Sequence, residues 1–142
     1  QMTEEDLPSV VEIEKLCFST PWSEGGLREE LSNDNARFFV ALSGGNVAGY
    51  IGSHNIVGEV YITNIAVNPS FRRQGIGEAL VSYLVEISKG EGADFVTLEV
   101  RESNEPAQKL YNKKGFCVVG KRKSFYENPR EDAILMTIDL KD

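Results

Sequence analysis

The sequence predicts an α/β (α+β) domain: a mixed, mostly antiparallel sheet with a parallel strand pair at its centre and helices on its flanks. Three observations carry this. Apolar runs separated by short glycine turns, at Gly44-Gly45-Asn46 and at Gly58, give consecutive antiparallel strands. Between Glu59 and Val100 the pattern changes to strand–helix–strand, which sets two strands parallel. The composition, 41% hydrophobic and 26% charged over 142 residues, is that of an ordinary globular chain with one substantial core. Residues 1–142 are therefore expected to form a single domain.

In chain order, Gln1 is not a natural start, and the expected order leaves room for an opening strand ahead of it. Thr3 is a good N-cap with Asp6 three residues on. Leu7, Val10, Val11, Ile13 and Leu16 then recur at helical spacing. Cys17 to Trp22 breaks that helix, and Ser23 caps a second one with Leu27 and Leu31 inward. Phe18 and Trp22, large aromatics in this loop, either pack down the helix pair or wall a substrate pocket. Arg37 to Leu42 and Val47 to Val57 read as a hairpin, with Gly49 and Gly52 marking irregularity or close approach. Glu59 to Val67 is the third strand.

Asn68-Pro69-Ser70 is a turn, because proline fixes φ and removes a ladder donor. Arg72 to Gly77 opens a helix with Ile76, Leu80, Tyr83, Leu84 and Ile87 on one stripe, widened by Val81 and Val85. Lys89-Gly90 and Gly92 end it. Phe95 to Val100 is a strand. Ser103 or Asn104 caps the next helix, with Pro106 in its first turn and Ala107, Leu110 and Tyr111 inward. Phe116 to Lys123 and Ala133 to Leu140 are two final strands, joined by a loop through Tyr126 to Asp132.

Some functions are excluded. No apolar run approaches a membrane span, and no signal-peptide pattern is present. Cys17 and Cys117 have no metal-ligand spacing and suggest no disulfide framework. The lone His54 cannot build a zinc site, so no metal is expected. These features point to a cytoplasmic protein without membrane contact, expected to be a monomer. A formal net charge of −7 argues against direct nucleic-acid binding, though acidic charge can attract a basic partner.

The stretch from Thr63 to Leu80 carries the functional signal. Two glycines one residue apart, Gly75 and Gly77, let a ligand approach the backbone. The first N–H groups of a helix lack internal partners and sit at the positive end of its dipole, an end that binds phosphate. With two arginines beside it, an anionic cofactor carrying a diphosphate is expected. A P-loop needs Gly-x-x-x-x-Gly-Lys-Ser/Thr, which is absent. A dinucleotide fingerprint needs a third glycine where Leu80 stands. A second signal is Glu99, a carboxylate at the carboxyl end of an apolar strand, where ligands bind in sheets with parallel strands. It is either a solvated edge residue or a buried group with a task.

Arg73-Gln74-Gly75-Ile76-Gly77 after a strand resembles the (Arg/Gln)-x-x-Gly-x-(Gly/Ala) signature of the GNAT family of N-acetyltransferases. Leu98 to Asn104 and Leu110 to Phe116 resemble the Leu-Glu-Val-Arg-x-Ser-Asn and Leu-Tyr-x-x-x-Gly-Phe segments of its ribosomal-protein-alanine acetyltransferase branch. Cys17 to Ser23 and Glu131 to Met136 resemble that branch's Ala-Phe-x-x-Pro-Trp-Ser loop and Glu-Asp-Ala-Ile-x-Met strand. The resemblance spans nearly the whole chain and implies the GNAT fold. It implies acetyl transfer from acetyl-CoA to the α-amine of an N-terminal alanine of a small-subunit ribosomal protein. It also implies roles. Ile65, Ala66 and Val67 present backbone groups to the acetyl and pantetheine arm. Arg73, Gln74, Gly75, Ile76, Gly77 and Glu78 hold the pyrophosphate through their amides, Glu78 having the wrong charge to do more. Asn104 contacts the coenzyme, with helix capping as its other reading. Glu99 is the general base. Tyr111 is the general acid, with core packing as its other reading. Phe18, Trp22 and Tyr126 line the substrate side.

The chemistry suits these residue types. Acyl transfer needs a neutral amine, and an α-amine has a pKa of about 7.7–8.0 against about 10.4 for lysine. Neutralising it near pH 7 costs about 3 kcal/mol less. Cys17 and Cys117 lack a histidine partner, so neither reads as a nucleophile. Acetylation of lysine side chains or small amines is the enzymatic alternative. A silent coenzyme A sensor is the other, and the presence of both Glu99 and Tyr111 argues against it.

Overall fold

The computed structural model describes residues 1–18, 20–127 and 129–141. Besides two single 3-10 turns, Glu4–Asp6 and Pro69–Phe71, ten elements follow in order among the described residues: α1 (Leu7–Cys17), α2 (Glu24–Leu31), β1 (Ala36–Ser43), β2 (Asn46–Ile56), β3 (Glu59–Val67), α3 (Ile76–Gly90), β4 (Phe95–Arg101), α4 (Glu105–Lys113), β5 (Cys117–Tyr126) and β6 (Glu131–Asp139). One six-stranded sheet has the order β1-β2-β3-β4-β6-β5. Every neighbouring pair is antiparallel except β3 and β4, which lie parallel at the centre, as the change of pattern in the sequence predicts.

Period-two alternation sorts the strand side chains into two cores. Phe38 and Tyr50 face α1 and α2, where they meet Leu7, Val10, Ile13 and Leu27. Phe39 and Ile51 face the other way, against Leu80, Val81 and Leu84 of α3 and Tyr111 of α4. Tyr83 departs from its expected place. It is half exposed and touches the core only edge-on, its ring centroid 5.0 Å from that of Phe39.

Local chemistry sets the ends of the elements. Ser23 Oγ accepts the Gly26 N–H at 3.0 Å and so starts α2. Asn104 Oδ1 accepts the Ala107 N–H at 3.2 Å and starts α4. The helix after Pro69 begins at Ile76 rather than Arg72. Arg73 and Gly75 hold left-handed backbones, with φ of 65° and 74°, and a right-handed helix cannot run through them. The β5–β6 hairpin is longer than expected, its strands running to Tyr126 and from Glu131. β5 is an edge strand rich in charge, so apolar alternation does not mark its end. His54 is a satisfied histidine, its Nε2 2.5 Å from Glu30 Oε2.

Two features open the site. The register of β2 and β3 shifts beside Gly52, where one extra β3 residue, Thr63, opposes no partner. Val60 and Ile62 face the α3 core before this bulge, and Ile65 does so after it. Asn64 is thereby turned toward the α1 side. Gly52 is obligatory at this bend, because a Cβ there would lie 2.4 Å from the Phe38 ring. The second feature is the brevity of the parallel pairing. β3 and β4 pair only at Glu59–Phe95, Val60–Val96 and Tyr61–Thr97. Beyond these residues β3 follows β2 and β4 follows β6, so the two halves of the sheet part.

Candidate active site

The parting of β3 from β4 leaves a cleft of about 720 Å³. Ile62 to Ile65 form one wall and Leu98 to Arg101 the other. Cys17, Phe18 and Trp22 enter from the α1–α2 loop, Asn104 and Tyr111 from α4, and Phe125 to Glu127 and Pro129 from the β5–β6 hairpin. Seven of the residues singled out from sequence thus meet in one place: Glu99, Tyr111, Asn104, Ile65, Phe18, Trp22 and Tyr126.

Glu99 alternates with Leu98 and Val100, so it points away from the α3 core. α1 packs over β2 and β3 and leaves β4 open on that face. The side chain is nevertheless only 3% exposed. Tyr61, on the same face of β3, donates its hydroxyl to Glu99 Oε1. Arg122 Nε stands 3.1 Å from Oε2 but off the hydrogen-bond line. Among the described residues, therefore, Oε2 is buried and accepts no hydrogen bond. Such an oxygen is costly unless a ligand uses it. The neighbouring carboxylate and burial together push the Tyr61 hydroxyl well above its ordinary pKa, burial being the larger cause.

Tyr111 is 6% exposed and packs on Phe116, ring centroids 5.8 Å apart. It is a core residue and a cleft residue at once. Burial, then the nearby Tyr126, pushes its pKa up to about 12. Tyr126 is likewise raised to about 12 by burial and then by Glu99. Asn104 caps α4 and also lines the cleft.

Trp22 packs on Phe38 at a centroid distance of 6.2 Å and lines the cleft as well, while Phe18 is 39% exposed. The Trp22 N–H donates to Glu14 Oε1 at 2.8 Å. Glu14 is 1% exposed, and its Oε2 accepts the Tyr50 hydroxyl. Asn64 Nδ2 donates in turn to that hydroxyl, and Thr63 Oγ1 donates to Asn64 Oδ1 at 2.6 Å. This buried chain ties the α1–α2 loop to the bulged edge of β3.

The glycine segment lies outside the cleft, at the exposed start of α3. Val67, the last residue of β3, does not line the cleft but packs beside the glycine segment: a Cβ on Gly77 would touch Val67 Cγ2 at 3.6 Å. Arg73 and Gly75 hold left-handed backbones just before α3, whose first-turn N–H groups have no partner within the helix. Nothing lies within 4 Å of a Cβ built on Gly75. Glu78, the residue of unsuitable sign, has its own partners, Lys113 Nζ at 2.8 Å and Lys114 Nζ at 3.3 Å, which hold its pKa below the usual carboxylate value. Ala66 is buried against Tyr50 and does not line the cleft. Cys17 Sγ donates to the Val67 carbonyl at 3.4 Å and receives Arg72 Nη2 at 3.6 Å, and burial pushes the thiol pKa up.

Sequence reasoning missed Tyr61, Arg122 and Glu14, and counted Arg72 beside the glycines without giving it a role of its own. Glu14 had a signal: it falls four residues after Val10 and seven after Leu7, on the apolar stripe of α1. Arg72 had one too, since the Arg-x-x-Gly-x-Gly spacing begins there. Tyr61 and Arg122 had none, because both depend on strand pairings far apart in the chain.

A cleft at the parting of two parallel strands, holding a buried carboxylate and a tyrosine, with a glycine-rich helix start flanked by two arginines nearby, is the kind of site an acyltransferase presents. The chain belongs to the Acetyltransferase (GNAT) family, whose profile matches residues 7–116. It is an N-acetyltransferase of the family that uses acetyl-CoA. A Bacillus subtilis (strain 168) protein, provisionally assigned as a ribosomal protein bS18-alanine N-acetyltransferase, is 40% identical over 97% of this chain and 92% of its own length. The crystal structure of the ribosomal-protein-S18-alanine N-acetyltransferase from Escherichia coli superimposes with a TM-score of 0.91 at 31% identity, covering 99% of this chain and 92% of that one. A provisionally named streptothricin acetyltransferase from Bacillus anthracis str. Ames, in complex with acetyl coenzyme A, matches with a TM-score of 0.70 at 26% identity, covering 79% of this chain and 66% of its own.

Proposed function

We propose that this chain is a single-domain, monomeric, cytoplasmic enzyme that acetylates the N-terminal alanine of a small-subunit ribosomal protein. The observation that carries the reading is the buried Glu99 Oε2, ion-paired with Arg122 yet without a hydrogen bond among the described residues, in the cleft where β3 and β4 part. The names of the relatives support the substrate class.

Acetyl-CoA fits the residues present. The open amides and arginines at the start of α3 suit a diphosphate, and the gap between β3 and β4 suits a narrow arm. Arg73, Gln74, Gly75, Ile76, Gly77 and the Glu78 backbone would hold the diphosphate. Backbone groups of Ile65, Ala66 and Val67 would hold the acyl arm, with Asn104 beside it. Bound acetyl-CoA supplies an acetyl thioester as electrophile. Glu99 Oε2 takes the proton from the incoming α-ammonium, directly or through a water, and Tyr61 fixes the carboxylate by holding its other oxygen. Backbone N–H groups near Val67 meet the oxygen on which charge develops. The Tyr111 hydroxyl, which burial keeps protonated, gives its proton to the departing thiolate. Attack occurs directly in a ternary complex. The Cys17 thiol, whose pKa burial raises, has no histidine beside it among the described residues to make it a nucleophile.

Phe18, Trp22 and Tyr126 wall the side from which the peptide enters. The test is acetyl transfer to peptides beginning with Ala, Ser, Thr or Met, beside an acetyl-capped peptide containing lysine. The Ala peptide is expected to react fastest. Preference for the capped lysine peptide would overturn the assignment of an α-amine substrate.

A further inference from the structure

Arg101 is the last residue of β4, and its guanidinium is turned wholly toward the β5–β6 hairpin. Nη1 donates to the Pro129 carbonyl at 2.8 Å, and Nη2 donates to the Glu127 carbonyl at 3.0 Å. The guanidinium carbon lies 4.5 Å from the Tyr126 ring centroid. Glu131 closes the latch from the other strand: its Oε1 is 3.3 Å from Nη1, and its Oε2 accepts the Ser103 N–H at 2.5 Å.

The hairpin needs such a latch. Its pairing is irregular between Arg122 and Tyr126, and Ser124 sits at a left-handed φ of 51°. A two-stranded tip of this kind is marginal by itself. Yet Phe125, Tyr126, Glu127 and Pro129 form one wall of the cleft that the α1–α2 loop also lines. Both carbonyls are gripped by the two ends of one planar fork, a geometry that lysine cannot reproduce.

We propose that Arg101 is a positioning residue for the peptide: it holds the hairpin tip as a preformed wall against which the residues after the substrate's first are bound. This rests on the reading that the cleft takes a protein N-terminus. It assigns to Arg101 no part in the chemistry of the first residue. An acceptor that ends at its first residue would therefore not sense the latch.

The experiment compares the parent, Arg101→Lys and Arg101→Gln on an Ala-starting hexapeptide and on alaninamide, at saturating acetyl-CoA, with melting temperatures to confirm folding. If the wall is in place a tenth of the time in a variant, apparent affinity falls about tenfold. The hexapeptide KM is thus expected to rise about tenfold in Arg101→Gln and by less in Arg101→Lys, with kcat moving far less. The alaninamide KM and the acetyl-CoA KM are expected to stay at the parent values. A second variant, Glu131→Gln, should shift the hexapeptide KM in the same direction by a smaller factor. An equal rise for alaninamide, a fall in kcat alone, or unchanged kinetics in an active enzyme would each overturn the proposal. A parent inactive on the Ala hexapeptide but active on capped lysine would overturn the substrate reading and this inference with it.

Discussion

Glu99 is half satisfied by design of the sheet. One oxygen is held by Tyr61, and the other is buried and turned to the cleft, ion-paired with Arg122 Nε at 3.1 Å but accepting no hydrogen bond among the described residues. Glu99→Gln keeps the size and the contact to Tyr61 but loses the basicity. Turnover on an Ala peptide is expected to fall by about 10²–10⁴, the usual worth of a general base, while calorimetry shows acetyl-CoA binding unchanged. Raising the pH toward about 8, the pKa range of an α-amine, should restore part of the rate, because the amine then arrives neutral. A variant equal to the parent at every pH would place the base elsewhere. Tyr111 is separable in the same way. Tyr111→Phe keeps its packing on Phe116 and loses only the hydroxyl, so turnover should drop while the melting temperature stays near the parent's. With its pKa raised to about 12 the hydroxyl keeps its proton near pH 8, where the amine becomes neutral, so it imposes no fall in rate in that range. The sign for stability follows: the fold favours the neutral phenol, a contribution complete below the free tyrosine pKa and lost as pH rises through the raised one. Full activity in Tyr111→Phe would leave it a core residue alone.

At the scale of elements, the start of α3 distinguishes binding by amides from binding by side chains. Arg73 is left-handed, a conformation glycine adopts freely, so Arg73→Gly relieves strain while deleting the cation. Gly75→Ala does the reverse: it adds a Cβ where φ is +74°, at a cost of about 1 kcal/mol in stability, and disturbs the run of amides. If the amides carry the grip on the diphosphate, titration calorimetry should find acetyl-CoA affinity reduced more in Gly75→Ala than in Arg73→Gly. The opposite order would assign the grip to charge. The same elements show what a linear sequence can convey. Turn glycines and helical stripes marked almost every strand and helix, because those signals are local. The glycine turn and Glu99 were visible for the same reason. The parting of β3 from β4 was not, since it depends on pairing between segments more than thirty residues apart. Nor was the Glu14–Tyr50–Asn64 chain foreseen, although Glu14 sits on the apolar stripe of α1. A charge on such a stripe is a signal that the surrounding leucines and valines mask. Arg122 and the ends of the β5–β6 hairpin lie on an edge strand whose residues face solvent on both sides, where alternation carries no information.

Across the whole molecule the charge is divided unevenly in its consequences. The chain carries a formal net charge of −7, yet its coenzyme is polyanionic. Arg72 and Arg73, with Lys113 and Lys114 packed on Glu78, set a local basic zone at the start of α3 against that acidic background. The peptide meets the opposite situation. Glu14, Glu99 and Glu127 outnumber Arg101 among the charged residues that line the cleft, and the incoming N-terminus is cationic before it is deprotonated. A protein that binds ribosomal RNA is also rich in lysine and arginine, so the acidic body should draw it in over distances beyond contact. Salt separates this from plain solubility. The Debye length shrinks from about 30 Å at 0.01 M to about 3 Å at 1 M. Acetyl-CoA must be kept saturating throughout, because its own basic zone weakens with salt as well. Under that condition, kcat/KM for an Ala-starting peptide with several lysines should fall steeply over this range, and the loss should appear in KM. A peptide with the same first residues and no further charge should change little, since only its α-amine is steered. If the two peptides show equal salt dependence, the net negative charge serves the solubility of the enzyme and does nothing to recruit its substrate.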